Sequence, residues 1–165
     1  MPLHDLLSRA RVAILDGHAI ETGAPDGAPS LPRVLDAAAW LLADGEDSAS
    51  ISHALHERES RASTALGDGV ALPHARMAGI EECRAAFLRL QHPVDFGAAD
   101  GKPVDLVLAL LVPEHEVSAQ LQRLAEIADR FAKPDYRNAL RNARDAGHLR
   151  QLLGGSGPDL LPCAA

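Results

Sequence analysis

Apolar residues recur at helical spacing between residues 30 and 60, which predicts two consecutive helices. In the first helix one face carries Leu31, Leu35, Ala38 and Leu42. Ser30 suits its N-cap, Pro32 suits its first turn, and Asp44-Gly45 suits its end. A second helix is predicted from about Ser48 to Glu59.

Three strand-like runs follow, bounded by turn-forming residues. They cover Val70 to Pro73, Ala85 to Leu90 and Val104 to Val112. The third run, VDLVLALLV, is apolar enough to lie in the middle of a sheet that is covered on both faces. Helices then resume over Val117 to Phe131 and Asp135 to Arg144, with a short one near His148 to Leu153.

The order of these elements predicts a single α/β domain with helices packed on a mixed sheet. The N-terminal stretch reads as a helix followed by a strand, and the Gly/Pro-rich loop TGAPDGAPS at 22–30 separates it from the rest. No segment is long enough to act as an internal linker. We expect a domain over residues 1–153 and a flexible tail over residues 154–165.

Length, charge and cysteine content exclude several classes of protein. A chain of 165 residues can bury one core without disulfides or metal. Its formal net charge of −7 and its scattered cations argue against binding to nucleic acid or to anionic membranes. Cys83 and Cys163 lie far apart, and the sequence has neither a membrane-spanning stretch nor a secretory signal. These observations predict a protein of the reducing cytoplasm.

A histidine stands directly after a proline in the segment GDGVALPHAR at residues 67–76. Gly67, Asp68 and Gly69 are turn formers, and Pro73 lacks the N–H that would continue a ladder of hydrogen bonds. His74 is therefore predicted at the end of a strand, where rigid backbone delivers a side chain to a surface or a cleft.

Two polar residues lie on or beside the apolar stripes of helices. Arg58 continues the inward stripe of Ile51 and Leu55, so its side chain needs a partner or an anion. Its guanidinium either extends to solvent or binds an oxyanion in a cleft. Gln120 borders the stripe of a later helix, where it either makes local hydrogen bonds or lines the edge of a pocket.

Motifs for common cofactors are absent from the sequence. It contains neither GxGxxG nor GxxxxGK[ST], so nucleotide cofactors have no support. The segment HERES at 56–60 lacks the second histidine of the zinc-protease motif HExxH, because Ser60 stands there. We therefore expect no cofactor and no metal.

The segments HERESRAST, GDGVALPHAR and FGAADGKPVDLVLALLVPE together resemble the fructose/mannitol-type enzyme IIA proteins of the bacterial sugar phosphotransferase system. The resemblance covers residues 30–153 and is greatest to the nitrogen-regulatory branch. It implies a three-layer α/β/α domain with a mixed sheet. It also implies a histidine that accepts a phosphoryl group from the small phosphocarrier protein HPr or its paralogue.

By this resemblance His74 is the phosphorylated residue, and the guanidinium of Arg58 lies at the incoming phosphoryl group. Ser63 and Thr64 match a Ser-Thr pair whose hydroxyls hydrogen-bond the histidine or the phosphate. Gln120 stands where many members carry a second histidine. Its amide can donate to a phosphoryl oxygen but lacks the charge of an imidazolium.

Two further residues depart from the family pattern. Ala62 and Ala75 stand where glycine is usual, before the Ser-Thr pair and after the active histidine. A Cβ at Ala75 is expected to matter if that position needs the backbone freedom of glycine or the close approach of a phosphoryl donor.

The resemblance implies a regulatory phosphocarrier whose phosphorylation state alters contacts with targets such as potassium transporters or sensor kinases. A charge of roughly −1.5 to −2 on His74 would change the surface that partners bind. Two alternatives stay open. One is a sugar-specific enzyme IIA that feeds a separate permease, and the other is a binding module of the same fold whose histidine is not phosphorylated.

Overall fold

The computed structural model describes residues 1–15, 30–44 and 47–155. The helices are α1 (Leu3–Ser8), α2 (Leu31–Leu42), α3 (Ser48–Arg61), α4 (Val117–Phe131), α5 (Pro134–Arg141) and α6 (Ala146–Gly154). The strands are β1 (Arg11–Leu15), β2 (Ala65–Gly67), β3 (Val70–Ala71), β4 (His74–Met77), β5 (Arg84–Val94) and β6 (Val104–Pro113). Residues 22–29 of the predicted loop, Gly45, and the predicted tail from residue 156 onward lie outside the described residues.

The strands form one mixed sheet in the order β1-β5-β6-β3-β2, with β4 following β3 along the same edge of β6. β3 and β4 both run parallel to β6, and β1 runs parallel to β5. β5 and β6 are antiparallel. In β6 every residue except Asp105 is buried, as predicted for a strand covered on both faces.

Side chains of the sheet alternate between two hydrophobic cores, because successive residues of a strand point to opposite faces. Ala71, Leu88 and Leu111 join the core beneath α2 and α3. Leu72, Phe87 and Leu110 join the core beneath α1 and the three C-terminal helices. The predicted three-layer α/β/α arrangement with a mixed sheet is confirmed. Within the described ranges, no helix is long and apolar enough to cross a membrane.

The predicted strand from Val70 to Pro73 is wrong in its extent. β3 ends at Ala71, and β4 begins at His74 and continues to Met77. β5 runs on to Val94 rather than Leu90, and the short β2 was not predicted. Sequence periodicity failed here because β2, β3 and β4 span only two to four residues each, too few to show a period.

The turn between β2 and β3 depends on its two glycines. Gly67, Asp68 and Gly69 all have positive φ, at 93°, 53° and 81°. A Cβ on Gly69 would lie 2.5 Å from Nη2 of Arg141 and 2.7 Å from Oδ1 of Asp105. The Arg141 guanidinium binds that carboxylate and donates to the Asp68 carbonyl at 2.6 Å. The predicted turn is therefore fixed to β6 and α5 just before the chain enters β3.

The helix boundaries differ from the predictions mainly near the C-terminus. α3 extends to Arg61, two residues past the predicted end, and α6 begins at Ala146 rather than at His148. α2 starts as predicted, although the Ser30 side chain makes no capping hydrogen bond. Asp145 starts α6, because its carboxylate accepts from the backbone N–H of His148 at 2.8 Å.

An arginine from the sheet explains why α5 ends at Arg141 instead of Arg144. Nη1 of the half-buried Arg89 in β5 donates to the carbonyls of Leu140, Arg141 and Ala143, at 3.1, 3.2 and 2.6 Å. These carbonyls lie at and just past the end of the helix, where intrahelical donors run out. The positive charge of Arg89 also lies at the negative end of the helix dipole, which is a favourable interaction.

We predict that Arg89→Met destabilises the protein more than an arginine deletion on the surface does. The three carbonyls would lose a charged donor, which costs about 2–3 kcal/mol in the free energy of unfolding. Arg9→Met is the control, because Arg9 pairs with Glu82 across two side chains that are 69% and 72% exposed. Urea denaturation of the two variants measures the difference, and equal midpoints would contradict this account.

Candidate active site at an open strand edge

The position of the site is set by β3 and β4, which pair with β6 as one interrupted strand. His74 comes four positions after Val70, and its partner Leu110 comes four positions after Leu106 on β6, so the register is unchanged across the gap. Pro73 lacks an N–H, yet its carbonyl still accepts from Leu110 N at 2.9 Å. The chain therefore stays aligned with β6, although Leu72 and Pro73 belong to neither strand.

The outer side of β4 is open within the described residues. There β2 pairs with β3, and β4 pairs with β6 alone. Side chains from both helical layers can meet around such an edge. They form a cleft open to solvent, lined by Ala54, Glu57, Arg58, Arg61, His74, Ala75, Arg76 and Gln120.

The ring of His74 is held in one tautomer. Nδ1 lies 2.9 Å from the carbonyl oxygen of Leu72. Because a carbonyl can only accept, Nδ1 carries the proton and donates. Nε2 is then unprotonated and accepts from Nε of Arg58 at 3.3 Å. The nucleophilic lone pair of the imidazole thus faces Arg58 and the cleft.

Arg58 reaches His74 from the end of α3. Its Nη1 donates to the carbonyl of Ala62 at 2.9 Å, which anchors the guanidinium beside the last turn of the helix. Of the two possibilities that the sequence left open, the structure places this side chain at the cleft rather than extended to bulk solvent.

The Ser63 and Thr64 hydroxyls point elsewhere. Ser63 Oγ donates to the carbonyl of Phe96, and Thr64 Oγ1 donates to the buried carboxylate of Glu59. Glu59 also accepts from the backbone N–H of Thr64 at 3.0 Å. Neither hydroxyl lines the cleft, so the described contacts make both residues supports of the loop. Their contact with a phosphate stays a prediction.

Gln120 lies in the cleft beside a residue that the sequence did not single out. It is 3% exposed, and its Oε1 accepts from Nε of Arg76 at 2.6 Å. Arg76 is two residues after His74 in β4, so both side chains lie on the same face of the strand. This alternation would have identified Arg76 if the strand had been predicted to continue beyond Pro73.

The two alanines that replace glycine fit without strain. Ala75 pairs with Leu111 as an ordinary strand residue, and it is not among the positive-φ residues. Ala62 is extended, with φ −167°. Neither position therefore requires the backbone freedom of glycine.

Burial and neighbouring cations lower the pKa of His74 below its usual value of 6.5. Burial is the largest cause, since it penalises the charged ring. The guanidinium groups of Arg58 and Arg76 act in the same direction, whereas the Leu72 carbonyl and Glu59 oppose them. The imidazole is consequently neutral at neutral pH, as a nucleophile must be.

Comparisons with known proteins identify the family of the chain. Residues 17–155 match the family model "Phosphoenolpyruvate-dependent sugar phosphotransferase system, EIIA 2". The chain belongs to this EIIA 2 family. Membership supports a phosphotransferase role in general, and it confirms the resemblance drawn from the sequence.

Individual relatives of this EIIA 2 protein point to the nitrogen-regulatory branch. The nitrogen regulatory protein of Pseudomonas aeruginosa is 41% identical over 127 residues, covering 75% of this chain and 82% of that protein. The one from Bradyrhizobium diazoefficiens is 38% identical over 109 residues, covering 66% and 71%. The nitrogen regulatory protein IIA-Ntr of Neisseria meningitidis has a crystal structure with a TM-score of 0.75 and 34% identity, covering 91% of this chain and 97% of that one. IIA mannitol of Escherichia coli, at 18% identity and a TM-score of 0.62 over 76% and 90%, shares the fold.

We predict that NMR will find His74 as the Nδ1–H tautomer with a lowered pKa. A long-range ¹⁵N–¹H spectrum should show an unprotonated Nε2 at neutral pH, and the ring should titrate below 6.5. Arg58→Gln should raise the pKa by removing a nearby cation, while leaving it below the usual value because burial persists. An Nε2–H tautomer, or a titration above 6.5, would show that the ring is not held as described.

Proposed function

We propose that this EIIA 2 protein is a regulatory phosphocarrier. It accepts a phosphoryl group on Nε2 of His74 from an HPr-type carrier, and its phosphorylation state controls partner proteins. The observation that carries the proposal is the pair of contacts on the imidazole: Nδ1 donates to the Leu72 carbonyl, and Nε2 presents its lone pair to the cleft beside Arg58. The nitrogen regulatory proteins among its relatives support the regulatory branch.

The transfer is a displacement at phosphorus. The lone pair of His74 Nε2 forms the new N–P bond while the bond from phosphorus to the donor's nitrogen breaks, and that bond's electron pair returns to the donor. The proton on Nδ1 stays in place, held by the Leu72 carbonyl. The phosphorylated ring then carries positive charge, which keeps the N–P bond labile and allows the phosphoryl group to leave again.

Arg58 changes partner during this step. Its hydrogen bond to Nε2 is 3.3 Å long and therefore weak, so the approaching phosphorus can replace it. The guanidinium remains anchored through Ala62 and can turn its remaining N–H groups toward the phosphoryl oxygens. Arg58 thus exchanges a bond to the free nucleophile for charge stabilisation of the transferring group.

Phosphorylation would alter the surface that partners bind. The phosphoryl group carries roughly −1.5 to −2 of charge, and the cationic ring offsets about one unit of it, so the cleft becomes more negative overall. The unphosphorylated cleft carries three guanidinium groups, of which Arg61 pairs with Glu57. Partners that bind the cationic cleft would therefore lose affinity on phosphorylation. Target proteins such as potassium transporters or sensor kinases are proposed to distinguish the two states in this way.

The proposal predicts an acid-labile phosphate on His74. Purified protein is incubated with phosphoenolpyruvate, enzyme I and the HPr-type carrier, and intact mass is recorded. The wild type should gain one phosphate, and His74→Ala should gain none. His53→Ala is the matched control, because His53 is an exposed histidine of α3 and should not affect the gain. A wild type that stays unmodified while the carrier is phosphorylated would favour the unphosphorylated binding module.

The rate of the same reaction tests Arg58. Arg58→Gln should slow phosphorylation about 10²- to 10³-fold, as expected when one preorganised donor to the transition state is removed. Arg61→Gln should change the rate much less, because Arg61 lines the same cleft but pairs with Glu57 and makes no contact with His74 in the described structure. Equal effects of the two substitutions would show that Arg58 contributes only its positive charge to the cleft and is not a specific donor to the transferring group.

A further inference from the structure

We propose that Arg76 is a positioning residue that orients the amide of Gln120, so that its N–H groups rather than its carbonyl face the phosphoryl group on His74. This inference rests on the proposed function of the site. The contact that carries it is the 2.6 Å hydrogen bond from Arg76 Nε to Gln120 Oε1.

The direction of this bond fixes the amide. A guanidinium has only donors, so the group of Gln120 that contacts it must be the carbonyl oxygen. The reversed amide would place N–H groups against the guanidinium of Arg76, which is repulsive. Gln120 is 3% exposed on α4, and burial restricts the side chain further. The two N–H donors on Nε2 are then the polar atoms of Gln120 that remain for a ligand in the cleft.

The strand places this pair in the same cleft as His74. His74 and Arg76 occupy the same face of β4, and Gln120 lines the cleft that contains both. The Arg76 charge acts on the imidazole, since it contributes to lowering the pKa of His74. An incoming phosphoryl group would thus meet Arg58 from α3 on one side and the Arg76–Gln120 pair on the other.

The hydrogen bond from Arg76 gives Gln120 stronger N–H donors and a neighbouring positive charge, which a neutral amide lacks on its own. A hydrogen bond from a cation to the carbonyl oxygen polarises the amide and strengthens its N–H groups as donors. The pair therefore presents donors and a full positive charge where a second histidine would present an imidazolium. Without Arg76 the amide can flip and turn its carbonyl lone pairs toward the phosphoryl oxygens.

A double-mutant cycle with a kinetic readout tests this. Arg76→Gln and Gln120→Met should each slow the phosphorylation of His74 about 10- to 100-fold. The double variant should be no slower than the slower single variant, because Arg76 acts through Gln120. Arg76→Lys should recover only part of the rate, since an ammonium lacks the planar fork that fixes the amide. Arg76 is exposed overall, so these variants are expected to fold, and thermal melting checks this.

The outcomes separate the inference from a simple tether between β4 and α4. Multiplicative effects would show that Arg76 acts on the phosphoryl group independently of Gln120, and unchanged rates would show that the pair only joins two elements. Either result overturns the proposal. Full recovery by Arg76→Lys would show that charge alone matters and would also overturn it.

A second measurement keeps the inference testable if the protein proves not to be phosphorylated. The side-chain ¹⁵N–¹H₂ signals of Gln120 are followed while inorganic phosphate is added to the wild type, to Arg76→Gln and to the control Arg9→Gln, which removes an exposed arginine outside the cleft. We expect shifts that saturate in the wild type and in Arg9→Gln, and that disappear in Arg76→Gln. Shifts that persist in Arg76→Gln, or that are absent from the wild type, would contradict the proposal whatever the result of the phosphorylation assay.

Discussion

The outer edge of β4, which β2 does not cover in the described residues, is the constraint on which the site depends. β3 and β4 follow β6 in one register, so the chain behaves as a single strand with a local gap in its hydrogen bonds. Pro73 keeps its carbonyl bonded to β6, and the neighbouring carbonyl of Leu72 is the one that accepts from the imidazole of His74. One backbone group thus selects the tautomer, and the continued register places Arg76 on the same face two residues later. A strand that ended at Pro73 could still have offered the Leu72 carbonyl to His74. It would not have placed Arg76 on the same face.

The positive charges of the cleft favour the neutral form of the His74 ring, and on the proposed function they would also favour a phosphoryl group bound to it. Burial and two nearby guanidinium groups disfavour the protonated ring, which keeps the free imidazole nucleophilic. On the proposed function, the same cations would also favour the negative charge of a phosphoryl group. On a chain with formal net charge −7, this cluster is a local exception. Two of its arginines lie in the last turn of α3, and the third lies in β4.

Sequence periodicity predicted the long elements well and the short ones poorly. The amphipathic stripes of α2 and α4 and the apolar run of β6 are long enough to show their period, and the fold class followed from their order. β4 could not be found this way, because four residues after a proline carry too little pattern. The inward phase of Arg58 left solvent and a cleft open as positions for its guanidinium, and only the resemblance favoured the cleft that the side chain lines in the structure. The directions of the Ser63 and Thr64 hydroxyls could not be predicted, since they depend on Phe96 and Glu59, which the fold brings beside them.

On the proposed function, Gln120 and Arg76 together have a consequence for pH dependence. An imidazole beside the phosphoryl group would gain and lose its charge near neutral pH, so its ability to hold the anion would vary there. A guanidinium stays charged throughout that range, and the amide that it orients does not titrate. A site built from Arg58, Arg76 and Gln120 would therefore hold a phosphoryl group through residues that do not titrate near neutral pH. On the proposed function, the reactivity of His74 near neutral pH would depend on the protonation of its own ring and of the phosphoryl donor, and not on these three residues.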